Sequence, residues 1–284
     1  MTQKITQPES QDPFKKRGFK SIKQSVTTSL NEVRTGMLGN RRVYPTKWDR
    51  LNVNLLGGLQ PGKMYVIAGR PGVGKSAFSN QMVFDLLDVS ELLSVQKKLT
   101  DSDYEKYKEE VIKYNDYPIY FNNVPRDMEF IKEANVEICN KRPDATVINV
   151  FDHSRLILSN KDQELQKLND ISKGCMWMQS KMGTISILLS QLNRNIEQEH
   201  RAKAQYQPLL TDLFGGDSIG QDAHVVMMLQ RPNDLYGITD IYCNEDPIKL
   251  LACHIEKNRD GLLGMIPYEA EMSTFTINER IKTK

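Results

Sequence analysis

The chain has 284 residues, of which 39% are hydrophobic and 26% are charged. This composition supports a buried core and excludes a globally disordered protein. With 38 basic against 36 acidic residues, the formal net charge is only +2. A protein that coats nucleic acid with uniform positive charge is therefore excluded, although a local basic channel is not. The length fits one large domain with a smaller appendage.

Cysteine spacing and hydropathy exclude several kinds of site. No C-x-x-C pair occurs among the four scattered cysteines, Cys139, Cys175, Cys243 and Cys253. Ordinary thiols are thus favoured over disulfides or a zinc site. Residues 1–24 contain no apolar run typical of a signal peptide, and the most apolar stretch, residues 183–192, is too short to span a bilayer. We expect a cytoplasmic protein without a membrane partner.

Residues 1–45 form a polar segment that precedes the predicted domain at residues 46–284. Within it, residues 21–38 carry apolar side chains three to five positions apart, namely Ile22, Val26, Leu30, Val33 and Leu38. This spacing predicts a helix with a narrow apolar stripe. Such a helix needs a partner surface, which is either its own domain or another molecule.

After residue 46, apolar runs alternate with amphipathic stretches. This pattern is typical of an α/β domain in which helices cover both faces of a mainly parallel, twisted sheet. The densely charged residues 97–117 predict a solvent-exposed helix. The candidate strands are residues 64–68, 118–122, 146–151, 184–190, 224–229, 248–256 and 263–270.

The run GRPGVGKS follows an apolar strand and precedes a helix, as a phosphate-binding P-loop does. Its glycines allow backbone N–H groups to point at phosphates, and the helix N-terminus adds positive potential. Lys75 is expected to reach the β- and γ-phosphates, and Ser76 to bind Mg²⁺. The predicted nucleotide-binding residues are Gly69, Arg70, Pro71, Gly72, Val73, Gly74, Lys75, Ser76 and Ala77. The sequence therefore predicts a P-loop NTPase.

Two polar residues end the next predicted strands. Asp152 follows the apolar run at residues 146–151, where a P-loop protein needs a carboxylate for Mg²⁺. Gln191 ends the following strand, at the sheet edge where open α/β sheets bind ligands. We expect Gln191 to sense the γ-phosphate or to orient the attacking water. A helix cap at Asp152 and a simple strand end at Gln191 are the alternatives.

Four segments together resemble the C-terminal, RecA-like ATPase domain of DnaB-type replicative helicases. They are LNVNLLGGLQPGKMYVIAGRPGVGKSAF, SQLNRNIEQ (190–198), LFGGDSIGQDAHVVMML (213–229) and HIEKNRDGLLG (254–264). The resemblance extends in order from about residue 33 to residue 275. It implies an ATP-hydrolysing DNA helicase motor, a hexameric ring that moves on single-stranded DNA, with ATP and Mg²⁺ at sites shared between subunits.

The resemblance also implies roles for the outlying segments. Lys257 and Arg259 lie two apart on a strand, so they project from one face. In the family this pair reaches the neighbouring subunit's ATP site. Residues 21–38 match the linker helix that packs on an adjacent subunit. Because the preceding residues are too few for the family's N-terminal domain, we expect a compact, phage- or plasmid-like version that a primase or helicase loader could join.

Single-stranded DNA contacts are expected from two loops. The segment after SQLNR, which we expect to be mobile, supplies Arg194, Arg201 and Lys203. A glycine-rich loop follows, with Phe214, Gly215, Gly216 and Asp217. Phe214 stands where the family has arginine, and it could stack on bases or anchor the loop to the core. Gly220 replaces the family's usual glutamate.

The catalytic glutamate of RecA-like motors is not evident. A helix from Lys75 to about Asp88 would extend about 20 Å, and a returning strand needs about six residues. Glu91 follows too soon to return to the γ-phosphate. Either the protein is a hydrolysis-deficient relative, or a strand and loop after Asp88 are missing from the sequence. We favour the second explanation. The alternatives to a helicase are a non-hydrolysing RecA-like ring or loader component and a recombinase- or clock-type ATPase.

Overall fold

A computed structural model describes residues 26–27, 30, 42–84, 118–152, 157–159, 163–233 and 249–280. The chain divides into two compact units, Met1–Arg42 and Val43–Lys284. In the first unit, Val26, Thr27 and Leu30 are helical. The remainder of the predicted linker helix lies outside the described residues, as does the predicted charged helix at 97–117. No described helix is long and apolar enough to cross a membrane.

The described part of the second unit contains five α-helices, three short 3₁₀-helices and seven strands. The α-helices are α1 (Asp49–Asn54), α2 (Lys75–Phe84), α3 (Met128–Lys141), α4 (Glu164–Met182) and α5 (Gly216–Asp222). The 3₁₀-helices are Arg194–Glu197, Glu199–Ala204 and Leu210–Asp212. The strands are β1 (Met64–Gly69), β2 (Ile148–Phe151), β3 (Ile185–Gln191), β4 (Val225–Gln230), β5 (Leu250–Asn258), β6 (Gly264–Glu271) and β7 (Thr276–Glu279).

The seven described strands form one mixed sheet in the order β2-β3-β1-β4-β5-β6-β7. The pairs β2–β3, β3–β1 and β1–β4 are parallel, and the three remaining pairs are antiparallel. The predicted α/β class is thus confirmed, but the described sheet is mixed rather than mainly parallel, because β5, β6 and β7 extend it in antiparallel fashion. The parallel half contains the strand that leads into the P-loop, and the antiparallel half extends the sheet on the other side of β4.

Side chains alternate between two cores along β1. Tyr65 and Ile67 pack on the face covered by α1 and α2, whereas Val66 and Ala68 pack on the face covered by α4 and α5. Strands buried on both faces explain the continuous apolar runs in the sequence. On the first face, Trp48 stacks on Phe78 with ring centroids 4.5 Å apart. Helices therefore cover both faces, as the sequence predicts.

The predicted strands differ from the structure at two places, where one predicted strand does not form and one observed strand is not predicted. Residues 118–122 form no strand in the described structure, and Tyr120 and Phe121 are 71% and 83% exposed. Apolar and aromatic composition alone does not make a strand, because strand preference depends on packing against neighbouring residues. Conversely, the sequence pattern does not predict β7, because its stabilising contacts come from distant helices. Glu279 accepts the backbone N–H groups of Arg50 and Leu51 at the start of α1, both at 3.1 Å.

Candidate nucleotide site and the loops around it

The P-loop leaves the carboxyl end of β1 in the middle of the parallel half of the sheet. Gly69 lies level with Gln191 on β3 and with Leu229 on β4. A Cβ atom at Gly69 would lie 2.5 Å from Val73 Cγ1 and 3.1 Å from the Leu229 carbonyl oxygen, so glycine is required for the tight turn. Gly74, with φ +104°, adopts a backbone conformation that favours glycine immediately before α2.

The Lys75 side chain contacts the backbone of the P-loop. Its ammonium group donates to the carbonyl oxygens of Gly69 at 3.0 Å and Arg70 at 3.1 Å. Burial lowers the pKa of Lys75, the negative charge of Asp152 opposes this shift, and the positive charge of Arg70 adds to it. The Asp152 carboxylate therefore acts electrostatically on the P-loop lysine, although the two residues are 77 positions apart in the sequence.

The strand register explains how these residues meet. Phe151, the last residue of β2, lies opposite Leu188 on β3, so Asp152 follows at the carboxyl end of β2. Neighbouring strands are about 4.8 Å apart, and β3 separates β2 from β1. The loop, Gln191 and Asp152 therefore share one edge of the sheet, which is the edge where parallel α/β sheets bind ligands.

Ser76 and Asp152 provide a suitable donor set for Mg²⁺. Ser76 is the second residue of α2, and both side chains are exposed. A hydroxyl and a carboxylate are the hard oxygen ligands that this ion prefers, and Mg²⁺ usually completes its shell with water and substrate phosphates. The residues present therefore fit a nucleotide-bound Mg²⁺ ion.

The segment between β3 and α5 is anchored, contrary to the expectation of a mobile polar loop. Arg201 makes a two-pronged ion pair with Asp212, at 3.0 and 2.9 Å, and donates to the Gln207 carbonyl oxygen at 2.5 Å. The side chain of Asp212 is only 3% exposed. The ends of the segment are joined by a bridge between Leu192 and Leu213. Arg201 therefore holds this segment together in the described conformation.

A second anchor comes from β4 and β5, and no local spacing in the sequence indicates it. The Gln230 side-chain amide donates to the carbonyl oxygens of Gln205 at 2.9 Å and Tyr206 at 3.0 Å. Its oxygen lies 3.1 Å from Nε2 of His254, which is only 2% exposed. Burial lowers the pKa of His254 to about 4. A neutral histidine can donate Nε2–H to Gln230, which in turn holds the turn at Gln205 and Tyr206.

Arg70 joins the P-loop to this segment. Its Nε donates to a Glu197 carboxylate oxygen at 2.7 Å, and its guanidinium NH1 donates to the Leu192 carbonyl oxygen at 3.0 Å. From the sequence, Arg70 is expected only to bind nucleotide, and Glu197 has no assigned role. No local spacing indicates this pair, because its members are 127 residues apart.

Lys257 lies on β5, whereas Arg259, predicted on the same strand, follows directly after it, and both side chains reach the end of α5. Lys257 donates to the carbonyl oxygens of Gly220 and Gln221, both at 2.7 Å. Arg259 donates to the Gln221 carbonyl oxygen at 2.5 Å. Both cations therefore lie at the C-terminus of α5, where the helix dipole favours positive charge. Burial and the nearby Arg259 lower the pKa of Lys257, and Asp222 opposes the shift.

Comparison with known proteins establishes the family. The sequence profile described as DnaB-like helicase C terminal domain matches residues 87–277, about two thirds of the chain. The chain belongs to this family. The matched stretch contains Asp152, Gln191, Lys257 and Arg259, and the P-loop precedes it.

Curated relatives include two bacterial replicative DNA helicases, each named DnaB. The protein from Leifsonia xyli is 25% identical over 242 residues, covering 74% of this chain and 52% of the relative. The protein from Geobacillus stearothermophilus is 25% identical over 288 residues, covering 87% of this chain and 59% of the relative. The chain thus spans between half and three fifths of the length of these relatives.

Solved structures share the fold. One solved ATPase domain superposes with a TM-score of 0.77 at 19% identity, covering 93% of this chain and all of that domain. A DnaB-like replicative helicase, described with its interactions with primase, gives 0.74 at 19% identity over 92% of this chain and 67% of its own. A KaiC-like protein from Pyrococcus horikoshii gives only 0.50 at 16% identity. These comparisons confirm the predicted RecA-like fold.

The residues predicted to contact DNA divide into exposed and packed groups. Arg194 and Lys203 are exposed on the two 3₁₀-helices after β3. Phe214 is partly buried against the core under α4 and α5, and its backbone N–H donates to the Gln191 carbonyl oxygen at 2.9 Å. Phe214 therefore connects the glycine-rich loop to β3, which supports core anchoring over base stacking. Gly215 has φ +71°, and Gly216 and Asp217 begin α5.

One edge of the described sheet is incompletely covered. β2 is the terminal strand and pairs only with β3 among the described strands. All its side chains are at least partly exposed, including Val150 at 37%, whereas β1 and β4 are buried throughout.

The relative from Rickettsia conorii aligns over 326 positions, more than the 284 residues of this chain. The 284-residue sequence therefore lacks residues that this relative carries within the aligned region.

Proposed function

We propose that this chain is the ATP-driven motor of a replicative DNA helicase, which acts as a hexameric ring on single-stranded DNA in the cytoplasm. The observation that carries the proposal is the convergence of Lys75, Asp152 and Gln191 at one sheet edge. This arrangement occurs in a chain of the DnaB-like helicase family. In this function, the chain binds ATP together with Mg²⁺ and uses ATP hydrolysis to move along DNA.

Each residue of the nucleotide site has a defined role in this proposal. The residues from Gly69 to Ala77 surround the phosphates, and Lys75 exchanges its two carbonyl contacts for phosphate oxygens. Ser76 and Asp152 hold Mg²⁺, which supplies electrostatic stabilisation of the phosphates when bound. Gln191 ends β3 level with Gly69 and can orient the attacking water.

Lys257 and Arg259 complete the site of a neighbouring subunit. Lys257 lies on β5, and the exposed Arg259 follows directly after the strand. An arginine supplied in trans stabilises the charge that develops during phosphoryl transfer, so hydrolysis depends on assembly. Their contacts with α5 are weaker competitors than a triphosphate, because a full anion attracts the cations more strongly than carbonyl dipoles do.

DNA contacts are assigned to the exposed cations and to the backbone of the glycine-rich loop. Arg194 and Lys203 can neutralise phosphates, and N–H groups of Gly215, Gly216 and Asp217 can bind them at the start of α5. Arg201 and Phe214 instead support these loops, because Asp212 engages the first and the core engages the second. A primase or helicase loader is the expected protein partner.

The catalytic carboxylate is proposed to lie on a further strand beside β2. Such a strand would cover the partly exposed edge of β2 and would end near Asp152. Intact-mass measurement of the native protein tests this idea. A mass several kilodaltons above 32.6 kDa is expected, and a mass equal to 32.6 kDa would contradict it.

A non-hydrolysing ATP-binding ring or loader component is the second candidate. The absence of an evident catalytic glutamate in the sequence favours it. The two candidates differ in turnover, because a ring of this kind would bind ATP and assemble without hydrolysis. A recombinase- or clock-type ATPase has less support, since three of the four segments lie within residues 87–277, which match the helicase family.

Mixed rings provide a sharp test of the shared site. Lys75→Ala removes a subunit's own phosphate lysine, and Arg259→Ala removes the arginine that it lends to its neighbour. Each variant alone should fail to displace a strand from a forked DNA duplex with ATP. A mixture should recover measurable unwinding, because some intact P-loops then face an intact Arg259. The shared site would be contradicted if wild type unwinds the duplex but mixtures that assemble normally show no unwinding.

A further inference from the structure

The ion pair between Arg70 and Glu197 is the described side-chain link between the P-loop and the 3₁₀-helix that follows β3. Arg70 donates to Glu197 at 2.7 Å and to the Leu192 carbonyl oxygen at 3.0 Å. The Arg70 side chain is 16% exposed and that of Glu197 is 44% exposed. One guanidinium thus holds two points of the segment against the loop that precedes α2.

Arg70 also contacts Lys75 through its backbone. The Arg70 carbonyl oxygen accepts from the Lys75 ammonium group at 3.1 Å. Glu197, Arg70 and Lys75 are therefore joined by two consecutive contacts, in which the side chain of Arg70 faces the segment and its carbonyl faces the phosphate lysine. A displacement of Glu197 changes the environment of Lys75 through a single residue.

The other end of the same 3₁₀-helix carries an exposed cation. Arg194 and Glu197 are the first and last residues of the helix Arg194–Glu197. Residues three apart in a 3₁₀-helix lie along one side, so Arg194 and Glu197 are displaced together when this short helix moves as a unit. An anion that binds Arg194 would therefore shift Glu197 and, through Arg70, the P-loop.

We propose that Glu197 is a positioning residue that couples the DNA-facing segment to the nucleotide site. DNA phosphates that engage Arg194 alter the hold of Glu197 on Arg70, and nucleotide that draws Lys75 away from the Arg70 carbonyl alters the segment in return. Such coupling acts equally in both directions when it is measured as binding. The coupling to DNA rests on the proposed motor function, whereas the effect of nucleotide on the segment can be measured without DNA.

We expect the ion pair to contribute little to the stability of the segment, which makes a Glu197 variant informative. Ile196 is 1% exposed and anchors the 3₁₀-helix in the core. The Arg201–Asp212 pair and the Gln230 contacts hold the remainder of the segment. A partly exposed ion pair adds little stability. Its position between two functional loops is therefore better explained by communication than by stability.

The test compares Glu197→Gln with Glu199→Gln in the full chain. Glu199 is exposed, lies two residues further on in the next 3₁₀-helix, and loses the same charge. Backbone deuterium exchange of residues 192–213 is measured with and without Mg²⁺ and a slowly hydrolysed ATP analogue. In wild type and Glu199→Gln, nucleotide should change exchange about fivefold, a typical coupling magnitude, and in Glu197→Gln the change should disappear.

An equal nucleotide effect in Glu197→Gln, or no effect in wild type, would overturn the proposal. Glu197→Asp keeps the charge and should restore part of the effect, which a merely structural role would not require. The second readout is ATP turnover against DNA concentration, for which Glu197→Gln should lose DNA stimulation and Glu199→Gln should retain it. If nucleotide changes exchange in wild type but DNA never stimulates turnover, the motor function fails while the link stands.

Discussion

Two loops leave neighbouring strands at the same edge of the sheet, and they are built in opposite ways. The P-loop after β1 is shaped by its backbone, with glycines at positions that a side chain would obstruct or strain. The segment after β3 is held by side chains from distant parts of the chain, including Asp212 and Gln230. Arg70 and Glu197 connect the two loops.

The first loop therefore has a fixed geometry, whereas the contacts of the second loop can change. A backbone nest keeps its N–H groups fixed, which suits a phosphate site that must have the same geometry in every cycle. Side-chain anchors can be exchanged one at a time, which suits a segment that responds to DNA. We therefore expect the second loop to depend on buried ionic and polar contacts, and the first to depend on glycine.

Removal of Asp212 should have the largest effect on stability. Asp212→Ala leaves Arg201 without its partner in a site where both side chains are largely buried. Breaking a buried ion pair by removing one partner costs about 3–5 kcal/mol. Chemical denaturation should show this decrease in the free energy of unfolding. The matched control, Asp170→Ala on the partly exposed surface of α4, should cost about 0.5 kcal/mol or less, and an equal loss in both variants would contradict the anchor.

The second largest expected effect is a loss of stability in acid, which comes from His254 in the contact with Gln230. Burial lowers the pKa of His254 from its ordinary value of 6.5 to about 4. The unfolded chain takes up the proton below pH 6.5 and the folded chain does not. His254 therefore contributes stability above pH 6.5 that is lost as the pH falls to about 4, amounting to about 3 kcal/mol.

Unfolding between pH 7 and pH 4 in wild type and His254→Gln measures this contribution. The variant should show a shallower loss of stability with acid, while His200→Gln, at an exposed histidine in the segment after β3, should follow wild type. The same pH profile in His254→Gln and wild type would show that the buried histidine does not control the acid response.

Substitutions in the P-loop should separate backbone strain from crowding. Gly72 and Gly74 have φ values of +77° and +104°, but a Cβ at Gly72 meets no atom within 4 Å. At Gly74, a Cβ would lie 2.6 Å from Met272 Cε. Each alanine costs about 1–2 kcal/mol through its φ. Gly74→Ala should weaken ATP binding slightly further, because the flexible end of the Met272 side chain must also move.

Met272→Ala in the Gly74→Ala background isolates the crowding. The double variant should bind ATP as well as Gly72→Ala does in a fluorescence titration with a labelled nucleotide. If Met272→Ala gives no recovery, the methionine is not the cause of the additional loss.

The two loops also show what the sequence can predict. The P-loop, Asp152, Gln191 and the spacing of Lys257 and Arg259 are evident because each follows from local spacing or a strand end. The pairs Arg201–Asp212, Gln230–His254 and Arg70–Glu197 are not, since they join residues separated by between 11 and 127 positions. Arg201 resembles a DNA ligand because charge is visible in a sequence and its partner is not.

The fold follows the same rule. Buried parallel strands are predictable because their apolar runs are continuous, as in β1, β3 and β4. The error at residues 118–122 and the omission of β7 concern segments whose pairing depends on a neighbouring edge rather than on their own composition. The antiparallel extension at β7 depends on Glu279 and Gln81, which contact partners about 200 residues away.

ATP turnover with and without single-stranded DNA, with Lys75→Ala as the blank, tests the central claim most directly. We predict that DNA raises turnover by about tenfold, a common size for coupling between sites, and that the blank shows none. This result would also imply a catalytic carboxylate in the native protein. Nucleotide binding without turnover, in a protein of verified full length, would contradict the motor and leave an ATP-dependent structural ring.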